Sequence, residues 1–467
     1  MAPPFASHDA PPIRIGKSWL TEWKPEDQGF WASTGRAIAW RTLILTTLTL
    51  VLSFSTWFVM SALVVRLPAI GFKFTDTELY WLAAMPGLAG GTLRIIHTFL
   101  IPIFGTRLVI TVATLLKIIP CLMLGFAVMN PETTWWTFMF IAFLIGMGGG
   151  DFSSYMPSTS LFFPKRLQGT ALGIQAGIGN FGVSLTQFVT PWIISFAALG
   201  ATVGGPQVFT NKKTGATSDI WLQNAAFWYV PLLLIFAIAC WFMLRSVPVK
   251  ATFRQQLDIF KSKHTWFCTV TYVMTFGSFS GLSAAFPMMI KSLYGGFPDA
   301  PDPLKYAFYG PLIGSASRVL FGFVADKTGG GILTHLTGIG MIGICIALIA
   351  TGAIAPTSGD TFPLFVGLML CLFFLAGVGN AVTFRQYPVI FAQNPRQGAG
   401  VLGWTGAVAA YGPFLFSVLI GAASAASVVG GGTKSAATFF IGLIAFYVVA
   451  TGINWWYYVR KGCERPS

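Results

Sequence analysis

The chain has 467 residues, of which 54% are hydrophobic and only 9% charged, and its mean hydropathy is +0.69. Soluble domains carry about 25% charged residues, so a water-soluble globular protein is excluded. The formal net charge of +14 is spread over short loops between apolar runs, which excludes a nucleic-acid surface and fits the Lys/Arg excess of cytoplasmic loops in membrane proteins.

Residues 1–41 are polar, carry Pro3, Pro4, Pro11 and Pro12, and show no signal-peptide pattern. Trp19, Trp23, Phe30, Trp31 and Trp40 recur in this stretch, which predicts a segment lying on the membrane surface. Twelve spans follow, at 42–66, 78–104, 108–129, 135–163, 169–198, 225–247, 266–292, 304–325, 332–353, 362–392, 398–425 and 436–459. A bilayer needs about 20 apolar residues per helix, and the longer runs predict tilt. The expected architecture is an all-α polytopic membrane protein with twelve transmembrane helices in two pseudo-symmetric six-helix bundles. The first bundle spans 42–247 and the second 266–459. A central loop, 248–265, joins them, and a tail, 460–467, follows. An even span count places both termini on one side. That side collects 19 Lys and Arg, the opposite loops 7, and Arg94, Lys117 and Arg318 fall within spans. Both termini are therefore expected to be cytoplasmic.

The halves repeat each other. Arg94 follows Pro86 by eight residues and Arg318 follows Pro311 by seven; spans five and eleven carry Gly169, Gly173, Gly177 and Gly400, Gly403, Gly406. Two parallel six-span repeats fit a transporter with its site at the midplane between them. Arg94 and Arg318 are isolated charges in apolar runs. Arg at the centre of a membrane helix costs roughly 2.5–3.5 kcal/mol even on the lenient insertion scale. Two such arginines, related by the repeat, are expected to face each other and to offer planar forks of donors to a flat oxyanion.

Other residues extend this site. Asn180, in Gly177-Ile-Gly179-Asn180-Phe-Gly182, is an amide that can donate to an anion, and Gln175 is a weaker candidate. The glycines Gly173, Gly177, Gly179, Gly182, Gly403, Gly406 and Gly412 are expected to let helices approach and move. Tyr272 and Phe276, one turn apart in span seven, and Phe152 in span four can pack as core rings or stack on a flat anion. Asp151, aligned by the repeat with Asn380, and Lys117 come out at similar depth in consecutive helices, which predicts an ion pair. The sharper alternative is a proton-carrying carboxylate, and His97, one turn from Arg94, is a second candidate proton carrier. The cysteines are scattered, with no CxxC, so neither a disulfide framework nor a metal site is expected. Dispersed histidines and the absence of a phosphate loop argue against an enzyme.

Together these motifs resemble the major facilitator superfamily, in particular its NarK-type nitrate/nitrite porters. The most specific segments are Trp23-Lys-Pro-Glu-Asp, Gly173-Ile-Gln-Ala-Gly-Ile-Gly-Asn-Phe-Gly182, Pro102-Ile-Phe-Gly105, Thr275-Phe-Gly-Ser-Phe279 and Gly310-Pro-Leu-Ile-Gly-Ser-Ala-Ser-Arg318. The resemblance implies nitrate or nitrite held by Arg94, Arg318, Asn180, Tyr272, Phe152 and Phe276. It also implies a monomer in the bacterial inner membrane with no cofactor, no nucleic-acid partner, and the lipid bilayer as its surroundings. Nitrate/nitrite antiport is the expected function; proton-coupled nitrate symport and a non-transporting nitrate sensor are the alternatives. Asp151, Lys117 and His97 depart from the family pattern and bear on the coupling mode.

Overall fold

The computed structural model describes residues 18–197, 203–210, 215–248, 257–430 and 432–467. The N-terminal prolines, Lys212 and Lys213, and Lys250 and Arg254 of the central loop lie outside the described residues. Twelve helical spans run up and down: α1 Gln28–Leu63, α2 Asp76–His97, α3 Leu100–Met129, α4 Trp135–Phe162, α5 Lys165–Ile193, α6 Asn224–Met243, α7 Lys263–Tyr294, α8 Tyr309–Thr328, α9 Gly330–Ala350, α10 Phe362–Ile390, α11 Pro395–Ala409 continuing as Gly412–Val429, and α12 Ala437–Val459. A short hairpin, β1 Gln207–Thr210 and β2 Thr217–Ile220, decorates the α5–α6 connection. Among the described residues, nine spans are long and apolar enough to cross a bilayer by length and composition alone. The three that fall short, α2, α5 and α8, carry Arg94, Asn180 and Arg318.

Local chemistry sets the span ends. Thr75 caps α2 with a full capping box, its hydroxyl accepting from the Glu78 amide while the Glu78 carboxylate accepts from Thr75. Gly105, at φ +77°, kinks the helical run near the start of α3. A Cβ there would lie 2.5 Å from Ser246 Oγ and 2.9 Å from the Trp19 ring. Gly105→Ala is expected to lower the melting temperature of the detergent-solubilised protein, since this positive-φ extended conformation alone costs a residue with a Cβ about 1–3 kcal/mol. An unchanged melting curve would remove this account of the turn.

The first helix begins at Gln28 rather than at residue 42, and the aromatic segment before it packs on the protein. Residues Ser18–Leu20 pair with Ser246. Trp23 Nε1 donates to the Leu161 carbonyl at 3.0 Å, and Glu26 accepts from the Lys165 amide at 2.8 Å. Trp31 and Trp40 pack on Phe163, and Trp23 on Phe162. The rings are satisfied by protein partners at the ends of α4 and α5, a long-range pairing that local sequence does not announce.

Two repeat-equivalent contacts build the halves. A Cβ on Gly182 would lie 2.2 Å from the Val51 carbonyl oxygen of α1, and one on Gly412 would lie 2.3 Å from the Gly277 carbonyl oxygen of α7. We call the face carrying Ser18 and Ser467 the terminal face, and the other the distal face. At the distal face three ion pairs join the halves: Arg66–Asp302 at 2.7 Å, Lys291–Asp76 at 3.2 Å and Lys434–Asp76 at 2.6 Å. The Arg66 guanidinium also rests on Phe209 of β1. Deeper on this side Tyr80 bonds Ser292, and Gln187 donates both to Ser61 and to the Ser283 carbonyl. Toward the terminal face the α5–α8 seam widens: Gly177 abuts Val319, whereas Gly169, Gly173 and Gly322 face open space.

Candidate functional site

Arg94 and Arg318 come together at the seam between the halves. Both guanidinium carbons lie close to the Phe276 ring, at 5.3 and 5.9 Å from its centre. Their separation cannot exceed the sum of those distances, so at an effective dielectric of 20 they repel by at least about 1.5 kcal/mol. Both are buried, at 0% and 5% exposure, and among the described residues neither forms a salt bridge to a carboxylate. An anion between them would relieve that repulsion.

The two arginines are held differently, which the equal-fork expectation did not anticipate. Arg94 Nε donates to the Gly149 carbonyl at 2.8 Å, and Nη1 donates to the Gly406 carbonyl of the opposite half at 2.7 Å. Only Nη2 is left without a protein partner. Arg94 therefore offers one nitrogen rather than a fork, and one of its bonds spans the seam. Arg318 keeps both Nη1 and Nη2 unpartnered and lies 4.9 Å from the centre of the Phe384 ring.

Rings frame these donors. Phe54, Phe152, Phe276 and Tyr272 form a row of nearly parallel faces, at 5.7 Å and 20°, 6.5 Å and 18°, and 5.5 Å and 8°. Arg94 lies 4.5 Å from the Phe152 ring centre. A flat anion sandwiched between Phe152 and Phe276 needs about 7 Å between the rings, slightly more than their present 6.5 Å, so the rings must part a little on binding. Tyr272 and Phe276 are presented by a π-helical turn, Val273–Gly277, inside α7. Such turns re-aim side chains and recur at functional sites. The Tyr272 hydroxyl is buried without a protein partner.

Asn180 is 0% exposed and neither its amide nitrogen nor its oxygen has a protein partner. Its helix face is fixed by its neighbours: Gly177 meets Val319, and Ser184 donates to the Phe308 carbonyl at 3.0 Å. Residues at this spacing share one face, so Asn180 faces α8, which carries Arg318. Gln175 instead bonds Thr46 and Thr159 inside the first half.

The seven glycines divide by position. Gly179 and Gly182 pack on α1 and Gly412 on α7, within their own halves; Gly177 and Gly403 face residues of the opposite half; Gly406 lies at the site and supplies the carbonyl for Arg94; Gly173 borders open space. Asp151 and Lys117 form a buried ion pair, and Ser53 donates to the same carboxylate oxygen at 2.8 Å. His97 is partly buried and bonded to Ser154 at 2.8 Å. The aligned Asn380 is buried with no partner for its amide. Among the described residues there is no cluster of metal-ligating side chains, and the six cysteines are free.

Sequence reasoning missed Phe384, Phe54, Trp57 and the Gly149 carbonyl. The three rings pack on the arginines at 4.9, 5.8 and 5.2 Å, but an aromatic in an apolar span carries no distinguishing signal. The Gly148-Gly149-Gly150 run could have drawn attention as a place of close backbone approach.

The model of the Major Facilitator Superfamily matches residues 45–417. The NarK2 protein of Thermus thermophilus, described as a probable nitrate/nitrite antiporter, is 58% identical over 449 residues, covering 96% of this chain and 98% of that one. The nitrate/nitrite transporter NarU of Salmonella typhimurium is 37% identical, covering 95% and 96%. Among solved structures, a bacterial homologue of the human lysosomal transporter Spinster superposes with a TM-score of 0.64 at 16% identity, covering 90% and 96%. The chain belongs to the major facilitator superfamily and, within it, to the NarK-type porters. It is a membrane transporter, not an enzyme.

Proposed function

We propose that the protein exchanges nitrate for nitrite across a bacterial inner membrane by alternating access, as a monomer with both termini in the cytoplasm. The observation that carries this reading is the set of buried donors left unpartnered at the seam: Arg94 Nη2, Arg318 Nη1 and Nη2, the Tyr272 hydroxyl and the Asn180 amide. Stacked rings beside two cations suit a small flat monovalent oxyanion. The NarK and NarU relatives carry nitrate and nitrite in their names. The units 42–247 and 266–459 act as the two rocking bodies. The described conformation, closed at the distal ion pairs and widening toward the terminal face, opens to the cytoplasm.

Exchange rather than proton symport follows from two features. Asp151, the one carboxylate among the buried residues described, is held in an ion pair with Lys117 through Oδ2, which also accepts from Ser53, while Oδ1 has no protein partner. The empty site brings two cations together, so closure is favoured only with an anion bound. The test is nitrite efflux from loaded proteoliposomes. Efflux should require external nitrate and be indifferent to an imposed pH gradient. Nitrate uptake driven by the pH gradient alone would replace antiport with symport, and nitrate binding without any flux would favour a sensor.

Selectivity gives a second measurement. Sulfate brings a second charge and a tetrahedral shape into a slot between nearly parallel rings, so it should not inhibit at concentrations where nitrate saturates. Sulfate competing on a par with nitrate would remove the ring-slot account.

The distal ion pairs should bias the conformational equilibrium. Asp76→Asn removes two of the three. Partly exposed pairs are worth roughly 0.2–1 kcal/mol each, so the outward-open population should rise severalfold, measured as faster modification of a cysteine introduced in the distal half of the seam. Unchanged modification would show that these pairs do not hold the distal side shut.

A further inference from the structure

The Lys117–Asp151 pair is 1% and 0% exposed, and its carboxylate is directed into the first half, toward α1 and α3. Asp151 stands where α4 is interrupted, between the turn Met147–Gly150 and the helix Phe152–Phe162. The turn is pressed against α1: a Cβ on Gly148 would lie 2.3 Å from the Ser53 carbonyl oxygen, and one on Gly149 would lie 2.4 Å from the Trp57 ring. The residues on either side of Asp151 are the ones that hold Arg94. The Gly149 carbonyl accepts from Nε, and the Phe152 ring lies 4.5 Å from the guanidinium carbon.

We infer that the Lys117–Asp151 pair is a positioning element for Arg94, fixing through one backbone turn both the carbonyl and the ring that set its guanidinium plane. The inference rests on the reading of the two arginines as the anion site. Among the described residues the second half shows no such buried ion pair. Its equivalent of Asp151 is Asn380, whose amide is unpartnered, and Arg318 keeps both terminal nitrogens free. Arg94 is thus the fixed arm that orients the anion, and Arg318 is the adaptable arm that follows it. A charge placed at Asp151 also needs an opposite charge, which accounts for a lysine in the interior of a span.

The pair can be removed without stranding a charge. Lys117→Met combined with Asp151→Asn makes the region neutral, whereas each single change leaves a buried ion alone and should lower the yield of folded protein. In the full-length double variant, reconstituted in proteoliposomes, the KM for external nitrate should rise about tenfold or more, as expected when a binding group is misplaced by a fraction of its length. Vmax should change much less, and nitrate should stabilise the purified variant against heating at correspondingly higher concentrations. A purely structural pair would leave both KM and the nitrate dependence of the melting temperature at wild-type values, and that result would overturn the inference. Should the double variant fail to fold, Ser53→Ala decides: it removes one bond to the same carboxylate without a charge change. A raised KM is then expected, and an unchanged KM overturns the inference. Wild-type protein lacking both exchange and nitrate-induced stabilisation would instead bring down the substrate reading itself.

Discussion

Arg318→Lys is expected to abolish exchange while leaving the protein folded. Arg318 meets the site with two unpartnered nitrogens and packs its flat face near Phe384 and Phe276. Lysine keeps the charge but concentrates it at one atom, so it loses both the second donor and the planar stacking. A charge-assisted hydrogen bond is worth about 1.5–3 kcal/mol, and losing one or two of them, with the planar stacking lost besides, predicts a fall of roughly tenfold to 10⁴-fold. Arg94→Lys should be equally inactive for a different reason. Its Nε and Nη1 already serve the Gly149 and Gly406 carbonyls, and one ammonium cannot serve both and the anion in the same geometry. Nitrate-driven nitrite efflux, measured beside a gel-filtration profile, separates lost function from lost folding. Near-normal efflux by either variant would defeat the two-arginine model.

Gly182→Leu and Gly412→Leu should each prevent assembly of a working transporter. Added carbons would collide with backbone carbonyl oxygens at 2.2 and 2.3 Å, and backbone cannot rotate away as a side chain can. Overpacking a tight core costs about 1–3 kcal/mol or more. The Gly412 variant carries a further penalty, because the Gly277 carbonyl it strikes belongs to the turn that presents Phe276. Loss of folded protein or of efflux is expected for both. By contrast, Gly173→Ala, which meets open space in the described conformation, should still fold. Wild-type efflux from either leucine variant would show that the close approach is not required.

Most of the charged framework of the site is legible in the chain itself. Arg94 and Arg318 stand out because an unpaired charge in an apolar run needs a reason, and Asn180 because a buried amide needs partners. The spacing of Gly182 and Gly412 is visible too, although only the packing shows that they join helices within a half. What escapes the sequence is whatever depends on backbone detail or on distant partners. The extra residue in the Val273–Gly277 turn obeys no hydrophobic period, yet it sets where Tyr272 and Phe276 point. Phe384 reads as one more apolar residue until its ring is found beside Arg318. The two carbonyls that occupy Arg94 belong to glycines 55 and 312 residues away. The partners of Trp23 and Trp31, Phe162 and Phe163, lie far along the chain, so no local pattern announces these contacts.

The uneven apolarity of the twelve helices has a consequence during synthesis. Helices α2, α5 and α8 bear Arg94, Asn180 and Arg318 of the candidate site and, among the described residues, are the ones that fall short of the length-and-apolarity measure met by the other nine. Each arrives between more apolar neighbours, so its release into lipid is expected to wait for a partner rather than to occur on its own. For α2 that partner is α4, whose Gly149 carbonyl accepts a hydrogen bond from Arg94 Nε. An isolated α2 segment in a translocation assay should therefore insert inefficiently, and adding α3 and α4 in sequence should rescue it. The buried polar residues of the candidate site would thereby impose an order on how the nascent chain enters the membrane.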